Sequence, residues 1–182
     1  MNKKSLDRKA AKQFIIDNRA MNKTDQEIYN ELSQQYYDKK AIALLITSTV
    51  TIEDKRKYQV YNSILIGFIG ITILFKILAI VGLVLAANKV WYLLFAFLVP
   101  IFNIYFMYEV ARYTGSVYRI LAIWVGLTFL QSIGKLEGTD LIINLGLCIL
   151  IAALALYLDK NMFPNYSPTN LKKDSNGEYI VS

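Results

Sequence analysis

An all-α fold is predicted by this sequence: a polytopic membrane helical bundle of four transmembrane helices behind an N-terminal segment of short helices. Three observations predict it. Charged residues crowd the first 57 positions and the tail, leaving only eight between Tyr58 and Leu158. Four apolar runs in that interval approach or exceed the roughly 20 residues a helix needs to cross a hydrocarbon core about 30 Å thick. Lys and Arg are divided unequally between the two sides those runs would define, 17 against two, and that asymmetry sets orientation.

The N-terminal segment, 1–57, reads as amphipathic helices. Leu6, Ala10, Phe14 and Ile15 recur at helical spacing, with Asp7, Arg8, Lys12 and Asp17 on the other side. Met21-Asn22-Lys23 breaks the pattern. Thr24 then opens a second helix, with Glu27 three positions on as its capping-box partner. Ile28, Leu32 and Tyr36 form that helix's apolar stripe, which is the candidate surface for a cytoplasmic protein partner. Asp38 caps a third helix through Ala41, Ile42, Leu45 and Ile46. The β-branched Thr47-Ser48-Thr49-Val50 that follows suits helix better than strand in this context. Thr51 is a further N-cap, with Glu53 and Asp54 at the positive end of the helix dipole. No Pro or Gly interrupts the chain before Gly67, so this helix continues into the first span.

The transmembrane domain occupies 58–158, with spans at 63–87, 90–108, 117–134 and 141–158. The first, Ser63 to Ala87, is one apolar run of 25 residues interrupted only by Lys76. At about 1.5 Å per residue it exceeds the hydrocarbon thickness and crosses with tilt. The other three lie near the lower length limit, and Gln131 and Ser132 weaken the end of the third. With the N-terminus inside, the cytoplasmic side holds twelve Lys/Arg in the first 60 residues, Arg112 and Arg119 in the middle connection, and Lys160, Lys172 and Lys173 in the tail. Only Lys89 and Lys135 fall outside. Tyr58, Tyr61, Tyr108, Tyr113, Tyr118 and Tyr157 cluster at the inner interface, with Trp91 and Tyr92 at the outer one, the level such rings prefer. The tail, 159–182, carries an Asn176-Gly177 pair ahead of Glu-Tyr-Ile-Val, the pattern of a turn and a short strand.

Composition excludes several chemistries. The chain has no His and a single cysteine, Cys148, so it has no His-based metal site or base and no internal disulfide. No nucleophile–base pattern, phosphate loop or membrane carboxylate cluster is present, and neither enzyme activity nor a cofactor is expected. The net charge of +6 follows from topology rather than from a nucleic-acid patch.

Lys76 stands out among the remaining polar residues. A lysine near the middle of an apolar run costs about 2.5 to 3.5 kcal/mol on insertion scales, so it faces a partner, water or a ligand, or snorkels to the headgroups. Thr72 lies one turn away, and Gln131, Asn144 and Asn103 are candidate partners on other spans. Pro100 disturbs the carbonyl of Ala96 and shares a face with Asn103, which gives either a simple kink packed by a neighbour, the commoner case, or an arrangement transporters use to coordinate substrates. Glu109 and Arg112, three apart, suit a solvated ion pair. Gly82 with Ala86, and Gly146 with Ala153, permit close helix approach within one bundle or in a homo-oligomer.

The stretch from Thr24 to Leu32 resembles the second helix of small three-helix modules, including helix-turn-helix and ubiquitin-associated-like units. The whole layout resembles uncharacterised small bacterial inner-membrane proteins with four spans, which implies the plasma membrane of a bacterium and N- and C-termini in the cytoplasm. Two functions fit. One is a non-enzymatic membrane scaffold or sensor whose N-terminal helices meet a cytoplasmic partner. The alternative is a small homo-oligomeric channel or transporter with a polar path near Lys76 and Asn103.

Overall fold

A computed structural model describes residues 5–87, 98–133, 138–167, 171, 173–175 and 177–181. Among them the regular structure is helical: α1 (Arg8–Ala20), α2 (Asp25–Gln35), α3 (Lys39–Ser48), α4 (Ile52–Ala87), α5 (Leu98–Ala111), α6 (Gly115–Ser132) and α7 (Gly138–Met162). The chain divides into two compact units, Met1–Arg56 together with Lys160–Ser182, and Lys57–Asp159.

The first unit packs α1, α2 and α3 around Ala11, Ile15, Ile28, Tyr29, Leu32, Ile42, Ala43 and Ile46. Each helix starts where a side chain satisfies amides that have no partner within the helix. Asp7 Oδ1 accepts from the amides of Lys9 and Ala10 at 3.0 and 3.2 Å. Thr24 and Glu27 form the reciprocal capping box: the Glu27 amide donates to Thr24 Oγ1 at 3.3 Å and the Thr24 amide to Glu27 Oε2 at 2.8 Å. Those bonds from the Thr24 backbone and hydroxyl hold the Glu27 carboxyl below its ordinary pKa. Asp38 Oδ1 caps α3 through the Ala41 amide at 2.9 Å. Asn22 ends the α1 turn with φ of 60°, a left-handed conformation that Asn tolerates. Thr47 and Ser48 complete α3, so the β-branched stretch resolves as helix followed by the extended Thr49.

Arg19 locks the three helices together. Its Nε and Nη2 make a two-pronged pair with Asp25 at the start of α2, both at 2.8 Å. Its Nη1 donates to the Thr49 carbonyl at 2.6 Å and Nη2 to that of Ile46 at 3.1 Å, satisfying the open end of α3.

The tail completes this unit. Val181 is 1% exposed within the same core. Tyr29 Oη donates to Glu178 Oε2 at 3.0 Å, and Lys39 Nζ pairs with Glu178 Oε1. Gln26 brackets the last residues, donating from Nε2 to the Tyr179 carbonyl (3.2 Å) and accepting from the Val181 amide (3.2 Å). The Tyr29 and Tyr179 rings meet edge to face with centroids 6.4 Å apart. Burial, ahead of the neighbouring carboxylate, raises the Tyr29 pKa, while the bond to Glu178 raises that of Lys39. The strand expected after Asn176-Gly177 is reduced to one antiparallel bridge, Lys173 to Tyr179, with Gly177 at φ of 78°; Asn176 itself lies outside the described residues.

The second unit holds most of α4 and α7 together with α5 and α6. As the absence of breakers before Gly67 implied, α4 runs unbroken for 36 residues, about 54 Å at 1.5 Å per residue. Two helices among the described residues are long and apolar enough to cross a membrane, over Ile52–Gly82 and Gly138–Met162, and they contain most of the first expected span and all of the fourth. The expectation of four is met only that far. The second span, 90–108, is described only from Leu98, and the third corresponds to a shorter apolar helix, Gly115–Gln131, which becomes polar at Gln131.

Candidate functional site

Within the second unit, side chains from α4 to α7 line a half-open cavity of about 670 Å³. That size suits a drug-sized molecule. All six residues that the sequence singles out as a ligand or ion path line it: Thr72 and Lys76 from α4, Pro100 and Asn103 from α5, Gln131 from α6 and Asn144 from α7. The helices bring together residues up to 72 positions apart, five of them buried or half-buried and Gln131 exposed.

Lys76 is half-buried and has no ion pair or hydrogen bond among the described residues. Thr72 and Thr128 donate their hydroxyls to carbonyls of their own helices, Ile69 at 2.7 Å and Val125 at 2.8 Å. The Thr72 oxygen therefore remains able to accept. Asn103 is 5% exposed, and its Oδ1 accepts from Trp124 Nε1 at 3.3 Å, while its amide Nδ2 has no partner among the described residues. The Cys148 thiol donates to Asn144 Oδ1 at 3.5 Å, one turn apart on α7. Near one end of the lining stand the exposed Gln131 and Asp140; at the other, Ile69, Leu121 and Ile151 are buried to 2% exposure or less. The cavity thus has a polar end and an apolar floor.

Sequence reasoning missed Trp124, Thr128, Asp140 and Cys148 at this site. Asp140 and Cys148 follow Asn144 by helical spacing, at four residues before and after it, and that signal was available. Trp124 and Thr128 share a face of α6 with Leu121 and Gln131, so Gln131 alone pointed to them. The kink expected at Pro100 involves Ala96, which lies outside the described residues.

Two polar clusters elsewhere in the unit are structural. Asn62, 1% exposed, donates from Nδ2 to the Val110 carbonyl at 3.1 Å and accepts from Tyr118 Oη at 2.7 Å, joining α4, α5 and α6. Arg119 grips Asp159 Oδ2 through Nη2 at 2.8 Å and Nε at 3.1 Å, joining α6 to α7, while the buried Asp159 Oδ1 has no hydrogen-bond partner among the described residues. Glu109 accepts from Thr114 Oγ1 at 2.7 Å and Arg112 lies over the Tyr108 ring, so the expected Glu109–Arg112 pair is absent among the described residues. Tyr113, in the turn between α5 and α6, adopts a φ of 55°, strained for a bulky residue and held by its buried ring.

The stripe expected to bind a cytoplasmic partner has another use. Ile28 and Leu32 are 0% and 1% exposed in the first unit's core, and Tyr36 packs against it. The reason is geometric: α1, α3 and the tail cover Ile28 and Leu32, while Tyr36 stays half-buried at the edge.

Among the described residues no three of Cys, Asp or Glu gather as a metal-binding group. No protein family, curated protein or solved structure matches this chain.

Proposed function

We propose that this chain is an integral membrane protein that binds a small ligand in the cavity between its own α4, α5, α6 and α7, in the manner of a transporter. The observation that carries the reading is Lys76: a cation in the middle of a long apolar helix, facing a cavity of about 670 Å³ and paired with no side chain among the described residues. A lysine left so in an apolar unit needs water or a ligand as partner. The apolar floor at Ile69, Leu121 and Ile151 favours a binding pocket over an open pore.

Membrane embedding is supported by the outer faces of the same helices. Leu74, Leu78, Ile101, Ile123, Leu130 and Ile142 are each more than 60% exposed, a density of large apolar surface that water tolerates poorly. In this reading four segments cross, with both termini and the first unit in the cytoplasm, as the Lys/Arg asymmetry favours. A scaffold role through Ile28 and Leu32 loses its surface to the core of the first unit.

Cys148 supplies the test, because it is the chain's only cysteine and lines the cavity. In lipid nanodiscs, a small charged methanethiosulfonate should modify Cys148 in the wild type. Ile149→Cys in a Cys148→Ser background, on the exposed side of α7, should resist the same reagent because lipid excludes it. Failure of Cys148 to react, or equal reaction at both positions, would sink the binding-cavity reading.

A further inference from the structure

Resting on that binding reading, we propose that the ligand is a single-chain amphiphilic anion, its carboxylate or similar monoanionic head held by Lys76 and its apolar chain lying on Ile69, Leu121 and Ile151.

The charge argument comes first. Lys76 is the one cation lining the cavity among the described residues, and no ion pair neutralises it there. Asp140, the one acidic residue lining the cavity among the described residues, is exposed and stands eight positions before Cys148 on α7, whose thiol lies within electrostatic reach of Lys76, about 12 Å along the axis at 1.5 Å per residue. The cation therefore sits in the body of the cavity and the carboxylate near its end. A cationic ligand centred at Lys76 would meet like charge in surroundings that screen it weakly. A neutral one would leave the ammonium without a counter-charge. An anion supplies one, and the free Nδ2 of the buried Asn103 adds a second donor from α5.

The shape argument fixes the rest. Beyond the polar side chains the walls are apolar: Ile69, Ile80, Leu121, Val125, Leu147 and Ile151. An inorganic anion would leave that surface uncovered, whereas an aliphatic chain would bury it, at about 0.8 kcal/mol per methylene. A cavity of about 670 Å³ holds a medium-length chain rather than a two-tailed lipid.

The test measures protection of Cys148 from the methanethiosulfonate in nanodiscs of zwitterionic lipid, as the ratio of rates with and without ligand. This ratio cancels any change in the thiol's reactivity that a substitution itself introduces. Decanoate should slow labelling about tenfold or more at saturation, while decanol and decyltrimethylammonium at equal membrane loading should not. Acetate should fail too, because the head alone lacks the chain. Lys76→Met should weaken the concentration dependence of decanoate protection by about tenfold to a hundredfold, as loss of a charge-assisted bond does, and Lys76→Arg should keep most of it.

Labelling that proceeds with no protection by decanoate overturns the ligand assignment while leaving the cavity intact; no labelling at all overturns the cavity. Equal protection by the ammonium amphiphile or by decanol removes the role of charge. Equal protection by acetate removes the role of the chain. Unchanged protection in Lys76→Met removes Lys76 as the anchor.

Discussion

Arg19 ties three chain segments together with one planar group, and what happens when it is shortened follows from the partners left behind. Its side chain is 14% exposed and that of Asp25 29%, so the pair is partly shielded from water. Arg19→Met strands the Asp25 carboxylate and reopens the carbonyls of Ile46 and Thr49. The cost should be about 2–3 kcal/mol, below the full price of breaking a buried pair because Asp25 retains some solvent. Hydrogen exchange on the full-length protein should show α1–α3 amides losing protection by about 30- to 150-fold, with Arg19→Lys recovering only part, since an ammonium lacks the two-pronged geometry. Arg119 and Asp159 allow a second comparison. The Asp159 side chain is 7% exposed and already has one oxygen unbonded. Arg119→Leu should therefore destabilise the protein more than the double change Arg119→Leu/Asp159→Leu, because the single change leaves a buried charge and the double removes it. Thermal unfolding in detergent would rank them. If the double variant melts lower than Arg119→Leu, the stranded Asp159 charge is not the source of the loss.

At the level of elements, the short helices of the first unit are specified locally and closed from far away. Asp7, Thr24, Asp38 and Thr51 each cap the helix that follows them, so helix starts were legible from three or four residues of sequence. The partners of the tail were not legible. Glu178 lies 149 residues from Tyr29 and 139 from Lys39, and no periodicity reports a contact at that separation. The stripe of Ile28 and Leu32 carries the same ambiguity: an apolar face declares that it will be covered, not by what. The tail contact carries a pH signature. The bond to Glu178 raises the Lys39 pKa above its usual value, so its contribution is fully present below the unfolded lysine pKa, about 10.4. It is lost as pH rises through the higher folded value. Exchange protection of the amides of Glu178 to Val181 should hold from neutral pH to about 10 and fall more steeply above it than in Lys39→Met, which should start lower and lose less. Parallel curves for the two proteins would show that Lys39 does not help hold the tail.

On the scale of the whole molecule, composition divides the chain as the structure does: polar ends in one unit, the apolar middle in the other. Lys76 was visible because a charge in an apolar run has few innocent explanations. Trp124 and Thr128 were faint because their place at the cavity depends on how α6 is rotated about its axis, which in a nearly uniform apolar helix only Gln131 marks. That uniformity also leaves the number of crossings as the main open choice. A two-crossing arrangement would send only α4 and α7 through the bilayer and keep α5 and α6 on the far side. Four crossings place the Arg112–Arg119 connection in the cytoplasm, where basic residues favour it. The apolar part of α6, Gly115–Gln131, has 17 residues, about 26 Å of helix. A few ångströms of shortfall cost fractions of a kcal/mol each, through local thinning of the bilayer. Leaving α5 and α6 outside would instead expose Ile101, Ile123 and Leu130 to water. Reporter fusions after Asn88 and Glu137 should therefore read as outside, and a fusion after Gly115 as inside. A fusion after Gly115 that reads as outside, with the other two unchanged, would establish the two-crossing arrangement and take the cavity between α4 and α7 out of the hydrocarbon on its α5–α6 side. Lys76 would then have water as its partner, and the case for an anionic amphiphile would fail with the four-crossing topology.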